Sequence, residues 1–214
     1  SHEFLGWVLN RMISSRMASW LSHSSAIRRA FGHAHELAAE VGEENVFDFS
    51  IGNPGAPCPS GVRTSLGRAA RDTTPGIHGY MDSAGFADVR ECVATNCRDR
   101  FGVPYEASDI VMTTGAACAI NMALLSVLDP GDEVIVFKPY YAGYFAFARN
   151  WDLNLVEVGF NHVTLLPDLE DLANKISPHT KMVIVNTPNN PTGVVYPLDF
   201  ARQLAGVLAR RAGD

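Results

Sequence analysis

The sequence predicts an α/β fold, and three observations lead to this prediction. Apolar segments of strand length alternate with segments of helical periodicity through the second half of the chain. Turn-forming residues separate them, as in the Asp-Pro-Gly-Asp sequence at 129–132. Neither an internal repeat nor a low-complexity linker interrupts the series. This alternation is typical of βαβ units that form a mostly parallel sheet.

The part of the chain before this series is predicted to be mainly helical. A break in the first helix is expected near Gly32 and its end near Gly42, because glycine is a poor helix former. Glycine and proline cluster at 52–57 and exclude regular structure there. The predicted elements are a helix at 17–42, a strand at 46–51 and a helix from Ser60 to Arg71.

One further helix is predicted from an apolar face. Apolar residues recur there at spacings of three and four, as expected for an amphipathic helix. They are Phe86, Val89, Val93, Cys97 and Phe101. The elements of the alternating series are then expected at 109–113, 116–128, 132–137, 141–151, 153–158, 169–176, 182–186 and 197–212.

Composition and charge narrow the classes of function. The 214 residues are 47% apolar and 19% charged, which is ordinary for a globular protein with a sizeable core. Lys and Arg number 17 against 23 Asp and Glu, with the signs mixed, so neither nucleic acid nor a membrane surface is an expected partner. The four cysteines form no C-x-x-C pair, and a reducing cytoplasm is the expected location. His33 and His35 would face different ways on a helix, so no metal site is predicted.

Three turns that follow predicted strands carry residues suited to binding a ligand. The first, Thr113 to Ala119, places small residues at the start of a helix, where free backbone N–H groups and the helix dipole favour an anion such as phosphate. It has neither a G-x-G-x-x-G pattern nor a Walker lysine, which argues against NAD and ATP. An ordinary strand-to-helix turn is the alternative interpretation.

The second turn, Lys138 to Tyr144, brings aromatic rings to the same sheet edge, where a planar heteroaromatic ring could stack. Covering the next helix is the alternative role for these tyrosines. The third turn follows the apolar run 182–185. Its prolines, Pro188 and Pro191, favour extended backbone at the residues before them, Thr187 and Asn190. An amide there could donate to a ring hydroxyl. Together the three turns predict a pocket for a phosphorylated aromatic cofactor.

These residues resemble a known family, the class I and II aminotransferases among the fold type I pyridoxal-phosphate enzymes. The sequence Asn-Asn-Pro-Thr-Gly at 189–193 looks like the family's N-N-P-T-G motif, Gly115-Ala116-Ala117 resembles its phosphate turn, and Pro139-Tyr140-Tyr141 resembles its stacking turn. The segments 44–54 and 78–81 are similar to a bacterial subgroup labelled aspartate aminotransferase. The resemblance runs from about Met12 to the end of the chain.

The resemblance implies a role for particular residues toward pyridoxal 5′-phosphate. The backbone amides of Ala116 and Ala117 would hold the cofactor phosphate, Tyr141 would stack on the pyridine ring, and Asn190 would bond its 3-hydroxyl. Gly52 would lie near the substrate carboxylate. Tyr80 would reach the phosphate of the neighbouring subunit in a homodimer, or else serve only to pack its loop.

The resemblance also implies a domain organisation. The fold would be a partial three-layer α/β/α large domain preceded by an N-terminal helical arm. Ser1 stands where an initiator Met would, which indicates a processed, tagged or excerpted chain. The implied divisions are an extension or tag at 1–11, an N-terminal arm and helix at 12–55, and the first part of the cofactor-binding domain at 56–214, with the C-terminal small domain absent.

The catalytic lysine of this family, which binds the cofactor covalently, follows the N-N-P-T-G motif. The lysines of this chain are Lys138, Lys175 and Lys181, all upstream of the motif. Transamination needs an amine that moves a proton between the substrate Cα and the cofactor, and a carboxylate that keeps the pyridine nitrogen protonated. Because the matching positions are missing, no catalytic residue is assigned, and the chain is expected to be an incomplete and inactive portion of an enzyme.

The activity that the resemblance implies is transfer of an amino group from an amino acid, with aspartate favoured, to a 2-oxo acid. Two alternatives remain at this point. One is a genuine short protein, without catalysis, that docks on a full-length aminotransferase. The other is a lyase or decarboxylase of the same fold.

Overall fold

The computed structural model describes residues 13–21, 26–49, 52 and 55–211. The chain divides into two compact units, Ser1–His78 and Gly79–Asp214. The helices are α1 Ser15–Leu21, α2 Ala26–Val41, α3 Ser60–Arg71, α4 Ala87–Phe101, α5 Ala116–Val127, α6 Gly143–Asn150, α7 Leu169–Lys175 and α8 Leu198–Arg211. The strands are β1 Glu133–Phe137, β2 Asn154–Val158 and β3 Thr180–Ile184.

The described part of the first unit is mainly helical, as predicted, but the prediction of a break near Gly32 is wrong. Helix α2 continues through Gly32 and ends at Val41. A single glycine lowers helix stability by only about 1 kcal/mol relative to alanine, which a 16-residue helix tolerates. The expected end near Gly42 is confirmed: Gly42 has φ +93°, and a Cβ there would overlap the Glu44 carboxylate.

The strand predicted at 46–51 is absent from the residues that the structure describes. Residues 46–49 form no ladder with another strand, and positions 50 and 51 lie outside the described residues. Phe47 and Phe49 are 81% and 91% exposed, so the alternating pattern does not correspond to a buried face here. Alternation alone cannot supply the paired backbone that a strand needs.

Helix α4 opens the second unit at the predicted position, but its apolar face is largely uncovered. Phe101 is 63% exposed and Val89 is 40% exposed. The loop after the helix is held instead by polar contacts, in which Arg90 Nη1 donates to the Ala107 carbonyl at 3.0 Å.

The prediction of a strand at 109–113 is also wrong. A 3₁₀ turn at Ala107–Asp109 is followed by extended backbone whose Met112 N–H bonds to the Ala84 carbonyl, not to a neighbouring strand.

The sheet has the order β2-β1-β3, and both pairings are parallel. Strand β1 is therefore central. Successive side chains of a strand point to opposite faces, so Val134 packs into one core and Ile135 into the other. This double burial explains the unbroken apolar run of β1.

Helices cover both faces of the sheet, which confirms the α/β prediction. Helices α5 and α6 pack over the Val134 face, and α7 and α8 pack over the Ile135 face. The buried residues of the first core are Leu124, Leu128, Val134, Ala148 and Leu153. Those of the second are Ile135, Phe137, Val158, Leu172, Phe200, Leu204 and Val207.

Two further features concern the helices and the cysteines of the described residues. None of the helices there is both long and apolar enough to cross a lipid bilayer. The cysteines Cys58, Cys92, Cys97 and Cys118 are free thiols.

Two adjacent leucines of α5 provide a matched test of this core. Leu124 is 1% exposed and Leu125 is 55% exposed. We expect Leu124→Ala to lower the free energy of unfolding by about 2–5 kcal/mol, because it removes buried methyl groups and leaves a cavity. Leu125→Ala should change it by less than about 0.5 kcal/mol. Urea denaturation measures both; equal losses would contradict this assignment of the core face.

Candidate functional site

The candidate site is built from the turns that follow β1 and β3, two neighbouring parallel strands. Both turns leave the carboxyl ends of their strands, which is where open α/β sheets bind ligands. The two turns are joined directly: Asn189 Nδ2 donates to the Pro139 carbonyl at 3.0 Å. The structure thus brings together the aromatic turn and the amide-rich turn that the sequence singled out.

The amide-rich turn holds Asn190 at the surface with its side chain available. The Asn190 backbone N–H donates to Asn186 Oδ1 at 2.7 Å, which fixes the main chain at this point. The Asn190 side chain is exposed, and its amide forms no hydrogen bond with any residue in the described ranges. It can therefore donate to a ligand without first losing a protein partner.

The aromatic turn supports the Tyr141 ring with other rings. Tyr141 is 42% exposed. Tyr144 meets it edge-on, with ring centroids 5.6 Å apart and an interplanar angle of 89°, and Phe147 lies at 6.3 Å. Because Tyr141 is supported by these rings and still partly exposed, it can offer a surface for stacking.

Gly143 makes room for the Tyr141 ring. A Cβ built on Gly143 would overlap the ring at Cε1 and Cζ. The glycine is the first residue of α6, and its backbone is not in the left-handed region. The need for glycine is therefore steric, and it comes from the ring.

The start of α5 leaves backbone N–H groups without partners. Gly115, with φ +87°, precedes the helix, and no side chain caps it. The N–H groups of Ala116 and Ala117 have no acceptor among the described residues. Thr113 Oγ1 donates to the Gly115 carbonyl at 3.0 Å, which holds the turn. Free N–H groups at the positive end of a helix dipole favour an anion.

Two further residues, Tyr80 and Gly52, carry predicted roles. Tyr80 is fully exposed, at 109% of its reference area, so the structure shows no packing role for it in the described part of the chain. Gly52 is exposed and belongs to the first unit. Their roles toward a partner subunit and a substrate stay predictions.

A charged cluster lies beside the aromatic turn. Glu157 of β2 accepts from Lys138 Nζ at 2.7 Å and from the Tyr140 hydroxyl at 2.5 Å. These hydrogen bonds, first from Lys138 and then from Tyr140, lower the pKa of Glu157. Burial, followed by the bond to Glu157, raises the pKa of Tyr140.

The ammonium group of each of the three lysines makes an ion pair or a hydrogen bond. Lys175 Nζ lies 2.8 Å from Asp171 Oδ2 and donates to the Glu157 carbonyl at 2.6 Å. The backbone N–H of Gly159, and then Lys175, lower the pKa of Asp171. Lys181 Nζ donates to the Pro178 carbonyl at 3.3 Å. Lys138, the first residue of the aromatic turn, is ion-paired with Glu157.

Comparison with known proteins identifies the family. The model of the family described as aminotransferase class I and II matches residues 44–213. This chain belongs to the class I and II aminotransferases. An aspartate aminotransferase of Thermotoga maritima is 34% identical over 170 residues, which are 78% of this chain and 44% of the relative. A probable aspartate/prephenate aminotransferase of Thermus aquaticus is 37% identical over 73% of this chain and 40% of its own length.

Solved structures of aminotransferases share the fold. An amino transferase from Eubacterium rectale superimposes with a TM-score of 0.88 and 33% identity, over 94% of this chain and 51% of its own. The aspartate aminotransferase from Thermus thermophilus with maleate gives a TM-score of 0.78 at 30% identity, over 93% of this chain and 50% of its own. The chain therefore spans about half the length of the aminotransferases that it matches.

Sequence reasoning missed three residues that organise this candidate site. They are Asn189, which joins the two turns, Glu157, which anchors the aromatic turn from β2, and Gly143, which admits the Tyr141 ring. Two adjacent asparagines follow β3, and the sequence contains no signal for which of them faces inward. Glu157 is the single charged residue of β2, and a charge within a strand was the available signal for a polar contact.

Replacing Gly143 by alanine should displace the Tyr141 ring. We expect the aromatic NMR resonances of Tyr141 to shift in Gly143→Ala, because the new methyl group occupies the position of the ring. Gly206→Ala in α8 is the matched control, since a Cβ there meets only Arg210 Nη1 at 3.5 Å, an ordinary contact. The control should leave Tyr141 unchanged and stabilise the helix by up to about 1 kcal/mol. Unchanged Tyr141 resonances in Gly143→Ala would contradict the steric role.

The charged cluster predicts a loss of stability in acid. Glu157 and Asp171 have folded-state pKa values below their ordinary values of 4.5 and 3.8. Their contribution is complete above those ordinary values and is lost as the pH falls through the lower folded-state values. Glu157→Gln should therefore weaken the dependence of the unfolding free energy on pH below about 4.5, as measured by urea denaturation across pH. Leu125→Ala, which changes an exposed residue without a titratable group, serves as the control and should keep the wild-type dependence.

Proposed function

We propose that this chain forms part of the cofactor-binding domain of an enzyme that transfers an amino group from an amino acid to a 2-oxo acid. The observation that carries the proposal is the bond from Asn189 to Pro139, which holds the Tyr141 turn and the Asn190 turn together at one sheet edge. Because relatives of this chain are named aspartate aminotransferases, we favour aspartate as its amino donor. A cytoplasmic location stays a prediction from the cysteine pattern.

The residues of this chain fit pyridoxal 5′-phosphate. The unpaired N–H groups of Ala116 and Ala117 suit a phosphate dianion, and no side chain at the helix start competes for them. The Tyr141 ring provides a stacking surface for a pyridine ring. The unpartnered amide of Asn190 can donate to an ionised 3-hydroxyl. This set matches a ligand that is anionic at one end and aromatic at the other.

In this family the cofactor supplies an electron sink that makes the substrate Cα proton removable. The residues described here bind and orient, and none is placed to move that proton. The three lysine ammonium groups bond to Glu157, Asp171 and the Pro178 carbonyl. We propose that the chain by itself binds the cofactor without covalent attachment and without turnover.

The remaining assignments belong to the same proposal. Gly52 lies near the substrate carboxylate, and Tyr80 contacts the cofactor phosphate of a second subunit in a homodimer. The exposure of Tyr80 is consistent with a role toward a partner. We also propose the divisions given by the resemblance: an extension or tag at 1–11, an N-terminal arm and helix at 12–55, and the first part of the cofactor-binding domain at 56–214.

Cofactor binding can be tested with variants of the two ring-contacting residues. We expect Tyr141→Ala and Asn190→Ala each to weaken binding of pyridoxal phosphate roughly fivefold, since a stacking contact or a hydrogen bond is worth about 1 kcal/mol. Tyr105→Ala is the matched control for Tyr141, because Tyr105 is 44% exposed. Asn174→Ala, at an exposed position of α7, is the control for Asn190. Affinities are measured by equilibrium dialysis.

Borohydride treatment of the complex tests the absence of covalent attachment. No single lysine should be labelled stoichiometrically, as judged by peptide mass spectrometry. One fully labelled lysine would contradict the proposal of non-covalent binding, and controls that lose as much affinity as the site variants would contradict the assigned contacts.

A further inference from the structure

Asn189 is unusual among the residues that the structure describes. It is 7% exposed and is the single buried polar side chain in that part of the chain. A buried amide costs free energy unless its hydrogens find acceptors. Both hydrogens of its Nδ2 are used: one donates to the Pro139 carbonyl at 3.0 Å and the other to Thr192 Oγ1 at 2.9 Å.

The backbone of Asn189 closes its own turn. Its N–H donates to the Val194 carbonyl at 2.9 Å, and its carbonyl accepts from the Gly193 N–H at 2.7 Å. The Thr192 bond lies within this turn as well. The bond to Pro139 differs because it leaves the turn and reaches a segment 50 residues earlier in the chain. Through it, the position of one turn depends on the position of the other.

The aromatic turn is held from its opposite flank by β2. Glu157 accepts from Lys138 on one side of Pro139 and from Tyr140 on the other. Glu157 therefore holds this turn to β2, and Asn189 holds it to the turn after β3. Tyr141 is the next residue after this doubly held segment, and Asn190 is the next residue after Asn189.

We propose that Asn189 is a positioning residue that sets the Tyr141 ring and the Asn190 amide at the spacing needed to grip an aromatic ring. The inference rests on the proposed function, since it assigns Asn189 to the recognition of the pyridine ring of the cofactor. Asn189 does not reach the ligand itself. Asn189 therefore affects binding of the pyridine ring and not binding of the phosphate, because the free N–H groups at the start of α5 do not depend on the bond to Pro139.

Asn189→Asp tests this assignment with little change in side-chain size. The carboxylate cannot donate to the Pro139 carbonyl and repels it. Asn189→Ser is a second variant that introduces no buried charge and is too short to reach Pro139. Asn154→Asp is the matched control: Asn154 Nδ2 also donates to a backbone carbonyl, that of Gly131 at 2.8 Å, but at the amino end of β2.

Two ligands separate ring recognition from phosphate recognition. Pyridoxal phosphate and inorganic phosphate are titrated into each protein, with binding followed by the backbone amide NMR resonances of Ala116 and Ala117. We expect both Asn189 variants to bind pyridoxal phosphate about tenfold more weakly, equivalent to about 1.4 kcal/mol, and inorganic phosphate within about twofold of wild type. The Tyr140 amide, which shares a peptide group with the Pro139 carbonyl, should shift in both variants and not in Asn154→Asp.

The outcomes distinguish the two levels of the proposal. If the wild-type protein fails to bind pyridoxal phosphate, the proposed function is wrong. If the wild type binds it and the Asn189 variants bind it equally well, the positioning role is wrong and the proposed function stands. An equal loss of both ligands would show that Asn189 supports the fold generally, and it would also overturn the positioning role.

Discussion

Burial of β1 on both of its faces is the constraint on which the second unit depends. Val134 faces one core and Ile135 the other, and β2 and β3 flank the strand. A strand in this position needs helices above and below it, and parallel neighbours need crossover connections long enough to contain them. Helices α6 and α7 are those connections. The same requirement brings the carboxyl ends of β1, β2 and β3 to one edge of the sheet.

At that edge, backbone polar groups need new hydrogen-bond partners, and asparagine side chains provide some of them. The chain must leave each buried strand through a turn, where backbone N–H and carbonyl groups lose the ladder that satisfied them. Asn189 supplies a donor to the Pro139 carbonyl, and Asn186 supplies an acceptor to the Asn190 N–H. Because Asn189 is buried, its bonds are poorly exchanged with water and hold the turns strongly. Asn189, which supplies a hydrogen bond to the turn, is thus next in sequence to Asn190, the candidate ligand contact.

Regular elements were predictable where a periodic pattern coincided with an available partner. Helix α5 and strand β1 lie within one residue of their expected ends, because apolar periodicity there matches a real buried face. The segment 109–113 has a comparable apolar pattern but pairs through Met112 with a loop at Ala84. Gly32 shows the opposite error, since a weak local preference was overridden by the length of α2. A sequence pattern shows that a segment is able to form a helix or a strand. Whether it does so depends on the segments that pack or pair with it.

For the candidate site, the sequence by itself determined the family, the three turns and the candidate ligand contacts at Ala116, Ala117, Tyr141 and Asn190. These follow from short segments whose residue types and order are local properties of the chain. Only the tertiary structure decided that Asn189 faces inward to Pro139, that Glu157 is bound to both Lys138 and Tyr140, and that the Tyr141 ring requires a glycine at 143. Each of the two hydrogen-bonded contacts joins residues far apart in sequence. The Tyr141 ring lies over Gly143 and beside Tyr144 and Phe147 of α6. Such contacts depend on how β1, β2 and β3 align, and a linear pattern carries no information about that alignment.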